Sequence, residues 1–343
     1  MSTYTALAIT EIGKPLTKIS LPMLEPKENE ILLKVTAAGL NQLDPRLRDL
    51  NMGFLKQFPA VIAFDIAGVV VKSGKDVTSF PIGSHVLAHA SIQNATCGGL
   101  QEYTIIDSQY SALLPQNIND VDAVAVPTGT VTSALSLFSP MGFGIPFPGT
   151  PEAEGFDYKS QKIVIVGGGT NTGKFGIQLA RIAGIGTIIA VAGRTGQAEL
   201  KELGATHVIS RHASDIESQV RGIVGDELLY VYDTYNSTEG LVHSANLLSR
   251  SKGGELVRLV RGPPVASANG IKGAGFKEKQ IIGFSSGIPA FGAMLWKQLQ
   301  EWIEEERLKF PKYSVVDGLD VDKVNAALDD LKIKSGKRWH VRV

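Results

Sequence analysis

Residues 162–181, KIVIVGGGTNTGKFGIQLAR, constrain the fold more than any other stretch of the chain. Ile163, Val164, Ile165 and Val166 are consecutive, apolar and β-branched, the pattern of a parallel strand buried on both faces. Glycines follow at once, and beyond Gly173 the apolar positions change period. Phe175, Ile177, Leu179, Ala180 and Ile182 suit a helix packed on a sheet. Strand, glycine-rich turn and helix in that order aim the first N–H groups of the helix at a pyrophosphate. In this reading Gly168 makes the tight turn and Gly173 lets helix and strand approach closely. Thr170 stands where G-x-G-x-x-G has its second glycine, and Gly169, Asn171 and Thr172 complete the candidate phosphate site. A tight βα connection without a ligand has the same look, so the residues after the helix carry the decision.

Those residues continue an alternation. Strands are expected at 187–192, 207–210, 228–232, 256–260 and 279–284, with helices at 197–203, 216–224 and 241–248. Strands separated by helical segments of this length mean a parallel sheet with crossover helices. The chain before them reads differently. Residues 1–125 suggest an irregular, mostly β domain, with strands at 4–10, 31–37, 85–89 and 101–106. Residues 41–53 read as a loop with a helical turn, because Pro45 should break a helix. A pair of short helices over 120–138 leads into the second domain, and the Pro- and Gly-rich 143–158 is loop. Helices at 290–308 and 321–331 and a strand at 339–343 close the chain, the strand being expected to return to the first domain. The expected domains are 1–125, 126–287 and 288–343.

Composition excludes several function classes. Lys plus Arg number 34 and Asp plus Glu 34, so the basic footprint of a nucleic-acid binder is absent. No apolar run looks long enough to cross a membrane, and the first residues lack the pattern of a signal peptide. Cys97 is the one cysteine, which rules out an internal disulfide and a thiolate-rich zinc site and suits a reducing, cytoplasmic setting.

Several segments together carry a family resemblance. Leu40-Asn41-Gln42-Leu43-Asp44 resembles G-x-N-P-x-D, and residues 58–83 resemble P-x-I-x-G-x-D-x-A-G-x-V, with Ala63 for the usual glycine. Residues 99–103 resemble G-x-x-x-E-Y, residues 141–148 an insertion typical of the fungal group, and Ser335-Gly336-Lys337 an S-G-K near the C-terminus. The chain thus resembles a zinc-free, quinone-reductase-like medium-chain dehydrogenase/reductase, in particular the fungal trans-acting enoyl reductases. The resemblance implies an α/β fold: a GroES-like, mostly β catalytic domain plus a Rossmann doubly wound parallel sheet. Zinc alcohol dehydrogenases place a cysteine about where Asn41 stands, a G-H-E where Ala63-Phe64-Asp65 stands, and a four-cysteine lobe after the region of His89. Those ligands are missing here, and His85 and His89 read as strand-edge or core residues, so no metal is expected.

The cofactor reading rests on the ribose position, about 20 residues past the glycines. An enzyme using NAD holds the 2′-hydroxyl there with an acid. This chain reads Gly193-Arg194-Thr195-Gly196, with no acid before Glu199. Arg194 offers planar donors to a 2′-phosphate, and Arg211, after the next strand, suits stacking on adenine or binding that phosphate. NADPH is therefore the expected cofactor. The resemblance also implies that Thr132 lies near the nicotinamide. Without metal, flavin motif or cysteine nucleophile, the chemistry is direct hydride transfer, best suited to an activated C=C bond of an enoyl or enone. Asn41 suits either donation to a substrate carbonyl or capping of its turn. Arg46, where the fungal enzymes usually have lysine, suits an anchor for a carbonyl, a phosphopantetheine or the cofactor phosphates. Met52, Phe54, Phe64, Met141 and Phe143 are candidate pocket walls, though each taken singly suits ordinary core better. Three classes stay open: an enoyl or enone reductase of secondary metabolism, an NADPH:quinone reductase, and a non-catalytic NADPH-binding redox sensor. The implied partners are a small-molecule or acyl-thioester substrate and a polyketide synthase carrier domain, with the protein a monomer or homodimer.

Overall fold

The computed structural model describes residues 2–94, 96–193, 196–266, 268–333 and 337–343. The chain divides into two units, Met1–Thr128 with Phe284–Val343, and Gly129–Gly283. The borders fall a few residues from those expected.

The first unit opens with an antiparallel pair, β1 (Thr3–Ala8) and β2 (Thr17–Pro22). The sequence reading overlooked β2, a six-residue strand in which only Ile19 and Leu21 alternate as apolar residues, both half-buried. The long β3 (Glu30–Leu40) leads into helix α1 (Leu43–Leu50). Here the expectation of a loop is corrected. Pro45 lies in the first turn of α1, where a backbone N–H has no intrahelical acceptor, so its missing donor costs the helix nothing. β4 (Asp65–Ser73), β5 (His85–His89), β6 (Tyr103–Asp107), β7 (Ser111–Leu113) and helix α2 (Asp120–Ala123) follow.

Helix α3 (Pro127–Phe138) then starts the second unit's run: β8 (Lys162–Val166), α4 (Asn171–Ala183), β9 (Thr187–Ala192), α5 (Gln197–Leu203) and β10 (His207–Ser210). It continues through α6 (Ile216–Val224), β11 (Tyr230–Asp233), α7 (Thr238–Ala245), β12 (Gly254–Arg258) and β13 (Phe276–Gln280). The six strands are parallel in the order β10-β9-β8-β11-β12-β13. The chain leaves β8 in one direction and returns to β11 on its other side, so strand order reverses between them, where open sheets bind ligands. Strand β13 begins three residues earlier than expected. Its Lys277-Glu278-Lys279 are polar because it is an edge strand, and the apolar Ile281 and Ile282 that drew the reading lie just beyond it.

After the second unit come α8 (Pro289–Glu304), β14 (Ser314–Asp317), α9 (Val321–Lys332) and β15 (Trp339–Arg342). β15 pairs antiparallel with β3, giving the order β14-β15-β3-β4-β5-β7, with β6 also on β3. Arg48, 3% exposed, ties α1 to α9 through Asp329 at 2.5 Å and Asn325 at 3.3 Å. One stretch of the described residues, Asp120–Phe138, is long and apolar enough to span a membrane, contrary to the sequence reading, but it is 89% buried in the fold. A core helix meets the same criteria.

Candidate active site and cofactor-binding edge

The glycine turn sits at the carboxyl end of β8. The left-handed conformation belongs to Gly167 (φ 78), not to Gly168 as the motif suggested. Gly168 is constrained by packing instead, since a Cβ there would meet that of Ala190 on β9 at 3.0 Å. Gly173 has the expected role, because a Cβ would lie 2.3 Å from the Gly167 carbonyl oxygen. Thr170 explains the departure from the glycine pattern. It is the N-cap of α4, its hydroxyl accepting from Gly173 N–H at 3.0 Å and meeting Thr234 Oγ1 at 2.9 Å. Such a cap stabilises a helix by about 1 kcal/mol. The N–H groups of Asn171 and Thr172 lie in the first turn, without intrahelical partners. Gly169 is exposed, and a Cβ built on it meets nothing within 4 Å. Its backbone therefore faces open space beside the helix start, as contact with a pyrophosphate requires.

Across the reversal point, Gly167 is crowded by Thr234 and Tyr235, which follow β11. Tyr235, 39% exposed, lies under the Arg211 guanidinium, whose carbon is 5.7 Å from the ring centre. Arg211 projects from the end of β10, its backbone N–H bound to Ala192 O at 2.7 Å. Sequence reasoning missed Tyr235, because nothing in the spacing of Asp233-Thr234-Tyr235 signals that β11 lies beside β8. Arg194 and Thr195 fall outside the described residues. Thr132, 6% exposed, sits in α3 with its hydroxyl against the backbone of Gly283.

The first unit holds a buried polar cluster. Asp65, fully buried at the start of β4, accepts from Asn41 Nδ2 at 2.8 Å, Thr128 N–H at 2.9 Å and Thr128 Oγ1 at 2.6 Å. The Asn41 amide that sequence reasoning offered to a substrate carbonyl is therefore donated inward. The side chain does not cap its turn either: the Asn41 backbone N–H reaches Asp44 Oδ2 at 2.6 Å. His89, also buried, places Nε2 3.4 Å from Thr128 Oγ1 and Nδ1 2.9 Å from Ser285 Oγ. The Ser285 oxygen in turn accepts from Trp296 Nε1 at 2.9 Å. Burial holds the His89 pKa below its ordinary value against the opposing pull of Asp65.

Asp44 is 1% exposed and accepts from Ala63 N–H at 2.9 Å as well as from Asn41. Ala63 adopts φ 68, which turns its N–H toward this carboxylate and explains why a glycine is usual there. Burial pushes the Asp44 pKa up to about 7, with Asp65 adding to the rise and the two backbone donors opposing it. A raised carboxyl pKa means the folded state binds more protons than the unfolded one. The contribution is fully present below about pH 4 and is lost as pH rises through 7. His89 and His340, whose pKa values are lowered by burial, give the opposite slope. The clean readout is thus wild type against Asp44→Asn. The stability difference in favour of wild type is expected to grow as pH falls from 8 to 5, and a flat difference in thermal midpoint would contradict a protonated Asp44.

This cluster does not fit zinc. Asn41 and Asp65 occupy positions of a ligand cysteine and of the G-H-E glutamate, but Asp65 accepts from three donors, one of them the amide N–H of Asn41. Phe64 stands in the histidine's place. Among the described residues, no three His, Cys, Asp or Glu side chains gather to hold a metal.

The candidate pocket walls divide between the units. Met52 adopts φ 52 in a turn held by Asn51, Phe54 packs edge-on against Phe284 at 6.0 Å, and Phe64 is 5% exposed. Met141 is 47% exposed. Phe143 packs on Tyr230 at 5.0 Å, at the amino end of β11 and at the opposite end of the sheet from the glycine turn, as the core alternative has it. Arg46 is exposed on α1 and makes no ion pair with the described residues.

The chain thus combines a mostly β unit with a six-stranded parallel sheet of Rossmann type that carries a glycine turn at its reversal point. Residues 27–116 match the alcohol dehydrogenase GroES-like domain, and residues 172–305 match the zinc-binding dehydrogenase family. The chain belongs to the medium-chain dehydrogenase/reductase family. It is 29% identical over 268 residues to the trans-enoyl reductase tazE of Aspergillus terreus, covering 76% of this chain and 86% of that protein. Among solved structures, CurK enoyl reductase superposes with a TM-score of 0.79 at 18% identity, covering 99% of each chain. The mycobacterial protein Rv1454c complexed with NADPH gives 0.76 at 19% identity, covering 99% of this chain and 100% of that one. At these identities the structures speak for the fold.

Proposed function

We propose that this protein is an NADPH-dependent, zinc-independent reductase of an activated C=C bond, acting on an enoyl or enone substrate of small-molecule or acyl-thioester type. The observation that carries the cofactor part is the open backbone at Gly169 beside the unpartnered N–H groups of Asn171 and Thr172. The relatives named as enoyl reductases support the substrate class. When bound, the nicotinamide supplies the hydride. The chain's own residues do the rest: the turn from Gly167 to Thr172 meets the pyrophosphate, while Arg194 and Arg211 serve the 2′-phosphate and adenine. Thr132 is assigned to the nicotinamide end. Asp65 and Thr128 hold Asn41 by its amide nitrogen, leaving Oδ1 as the atom not engaged by the described residues. Arg46 is placed to attract an anionic acyl carrier. A cytoplasmic setting goes with this reading.

Turnover with a panel of 2-enoyl thioesters, enones, and ortho- and para-quinones tests the reaction. Reduction confined to quinones, or none at all, would refute it. NADPH is expected to be preferred over NADH at least tenfold, about 1.4 kcal/mol, a modest demand on charge-assisted contacts to a phosphate. Arg194→Ala should weaken NADPH far more than NADH, and equal losses would remove Arg194 from the phosphate site. The purified protein should carry no stoichiometric zinc and keep its activity in chelator. One zinc per chain, lost together with activity, would overturn the reading of the Asp65 cluster.

A further inference from the structure

The first turn of α5 carries an acid that the spacing of the motif hides. Glu199 lies several residues past the place where an NAD-type acid is expected, yet its side chain folds back. Its Oε2 is 3.5 Å from where a Cβ on Gly196 would sit, beside the turn that follows β9. Gly196 makes that return close, with φ 86. A carboxylate here would ordinarily take a ribose 2′-hydroxyl and repel a 2′-phosphate. It is not alone, however. Lys174, the residue after Gly173, sets its Nζ 2.6 Å from Glu199 Oε1. The Lys174 side chain is 17% exposed and that of Glu199 41%, so the lysine is the better shielded partner and the carboxylate faces solvent.

We propose that Lys174 determines which dinucleotide this edge accepts: it cancels the charge of Glu199 and supplies a cation to a 2′-phosphate. The inference rests on the reading of this edge as an NADPH site and adds a specificity residue to it. A phosphate with close to two negative charges competes with one carboxylate for the ammonium, and a lysine serves phosphate as a point charge without strict geometry. Lys174 is anchored on α4, whose first turn is packed against β8 through Gly173, so the cation is held near the turn after β9 rather than on a mobile loop. Arg211 at the end of β10 adds a second positive group on the same edge. Removing Lys174 would leave Glu199 unpaired and convert the edge toward the NAD type.

Dissociation constants for NADPH and NADH, measured by calorimetry on wild type, Lys174→Met, Glu199→Gln and the double variant, test this. Methionine keeps the apolar stem of the lysine, and the ratio of the two constants within one variant is insensitive to partial unfolding. Lys174→Met should lower the preference for NADPH at least tenfold, with NADH unchanged or tighter. Glu199→Gln should tighten NADPH and leave NADH within about twofold. In the double variant NADPH should bind more tightly than in Lys174→Met, because the repelling carboxylate is gone. Equal weakening of both dinucleotides by Lys174→Met would make the pair a structural tie only, and weaker NADPH binding by Glu199→Gln would equally overturn the proposal. If wild type binds neither dinucleotide, the cofactor reading itself fails and this inference with it, a result seen before any variant is made.

Discussion

Replacing Asp65 with alanine is expected to destabilise the first unit by about 3 kcal/mol or more. The change removes the buried acceptor of three donors, Asn41 Nδ2, Thr128 N–H and Thr128 Oγ1, and leaves the side-chain donors only long contacts of 3.4 Å to each other and to His89. Each unsatisfied buried group costs about 1–3 kcal/mol, and Asp65 is fully buried. Against a typical total stability of roughly 5–15 kcal/mol, such a loss is large. Trp296, Trp302 and Trp339, the three tryptophans of the chain, all lie in this unit, so their fluorescence follows its unfolding separately from the second unit. Asp65→Asn keeps one acceptor oxygen but turns an NH2 group toward the remaining donors, and should fall between wild type and alanine. A tryptophan-detected midpoint for Asp65→Ala within a degree of wild type would mean that the cluster does not hold this unit together.

The second large effect separates two glycines of one turn. Gly173→Ala places a methyl group 2.3 Å from the Gly167 carbonyl oxygen and 2.9 Å from the Gly168 Cα, both backbone atoms that cannot swing aside. Helix α4 must then move off β8, at a cost of roughly 1–3 kcal/mol or more, and carries its first-turn N–H groups with it. Stability and dinucleotide affinity should fall together. Gly169→Ala meets open space, so stability should stay within about 0.5 kcal/mol of wild type. Its NADPH affinity should nonetheless drop at least tenfold, because the added methyl occupies the surface the pyrophosphate would approach. An alanine at 169 that leaves NADPH binding untouched would show that the turn is a βα connection and nothing more.

The legible parts of the site were those with a local cause. A run of four β-branched residues, a glycine turn and a change of apolar period are short-range signals, and β8, α4, β9, α5, β10 and α6 lie close to where periodicity put them. Even there the roles moved by a residue. The motif assigned the tight turn to Gly168, but the left-handed φ falls on Gly167, because Gly168 is taken up by the approach of Ala190. Likewise Pro45 was read as a breaker by its type, whereas its place in the first turn of α1 makes it harmless.

By itself, the sequence determined that the second unit is a parallel sheet with a glycine turn facing a helix start, that the thiolate ligands of a zinc site are missing, and that Arg194 stands where an acid would select NAD. Each of these depends on residue type and near neighbours. Only the tertiary structure decided that Asn41 gives its amide to Asp65, that Tyr235 lies under Arg211, and that Glu199 folds back to meet Lys174. The partners lie 24 residues apart for Asn41 with Asp65 and for Arg211 with Tyr235, and 25 for Lys174 with Glu199, and are joined by strand order and helix packing. No local periodicity encodes such contacts: they exist because β4 pairs with β3, because β11 returns beside β8 and because α4 and α5 pack together, which is the physical reason the chemistry of the site became readable only in the fold.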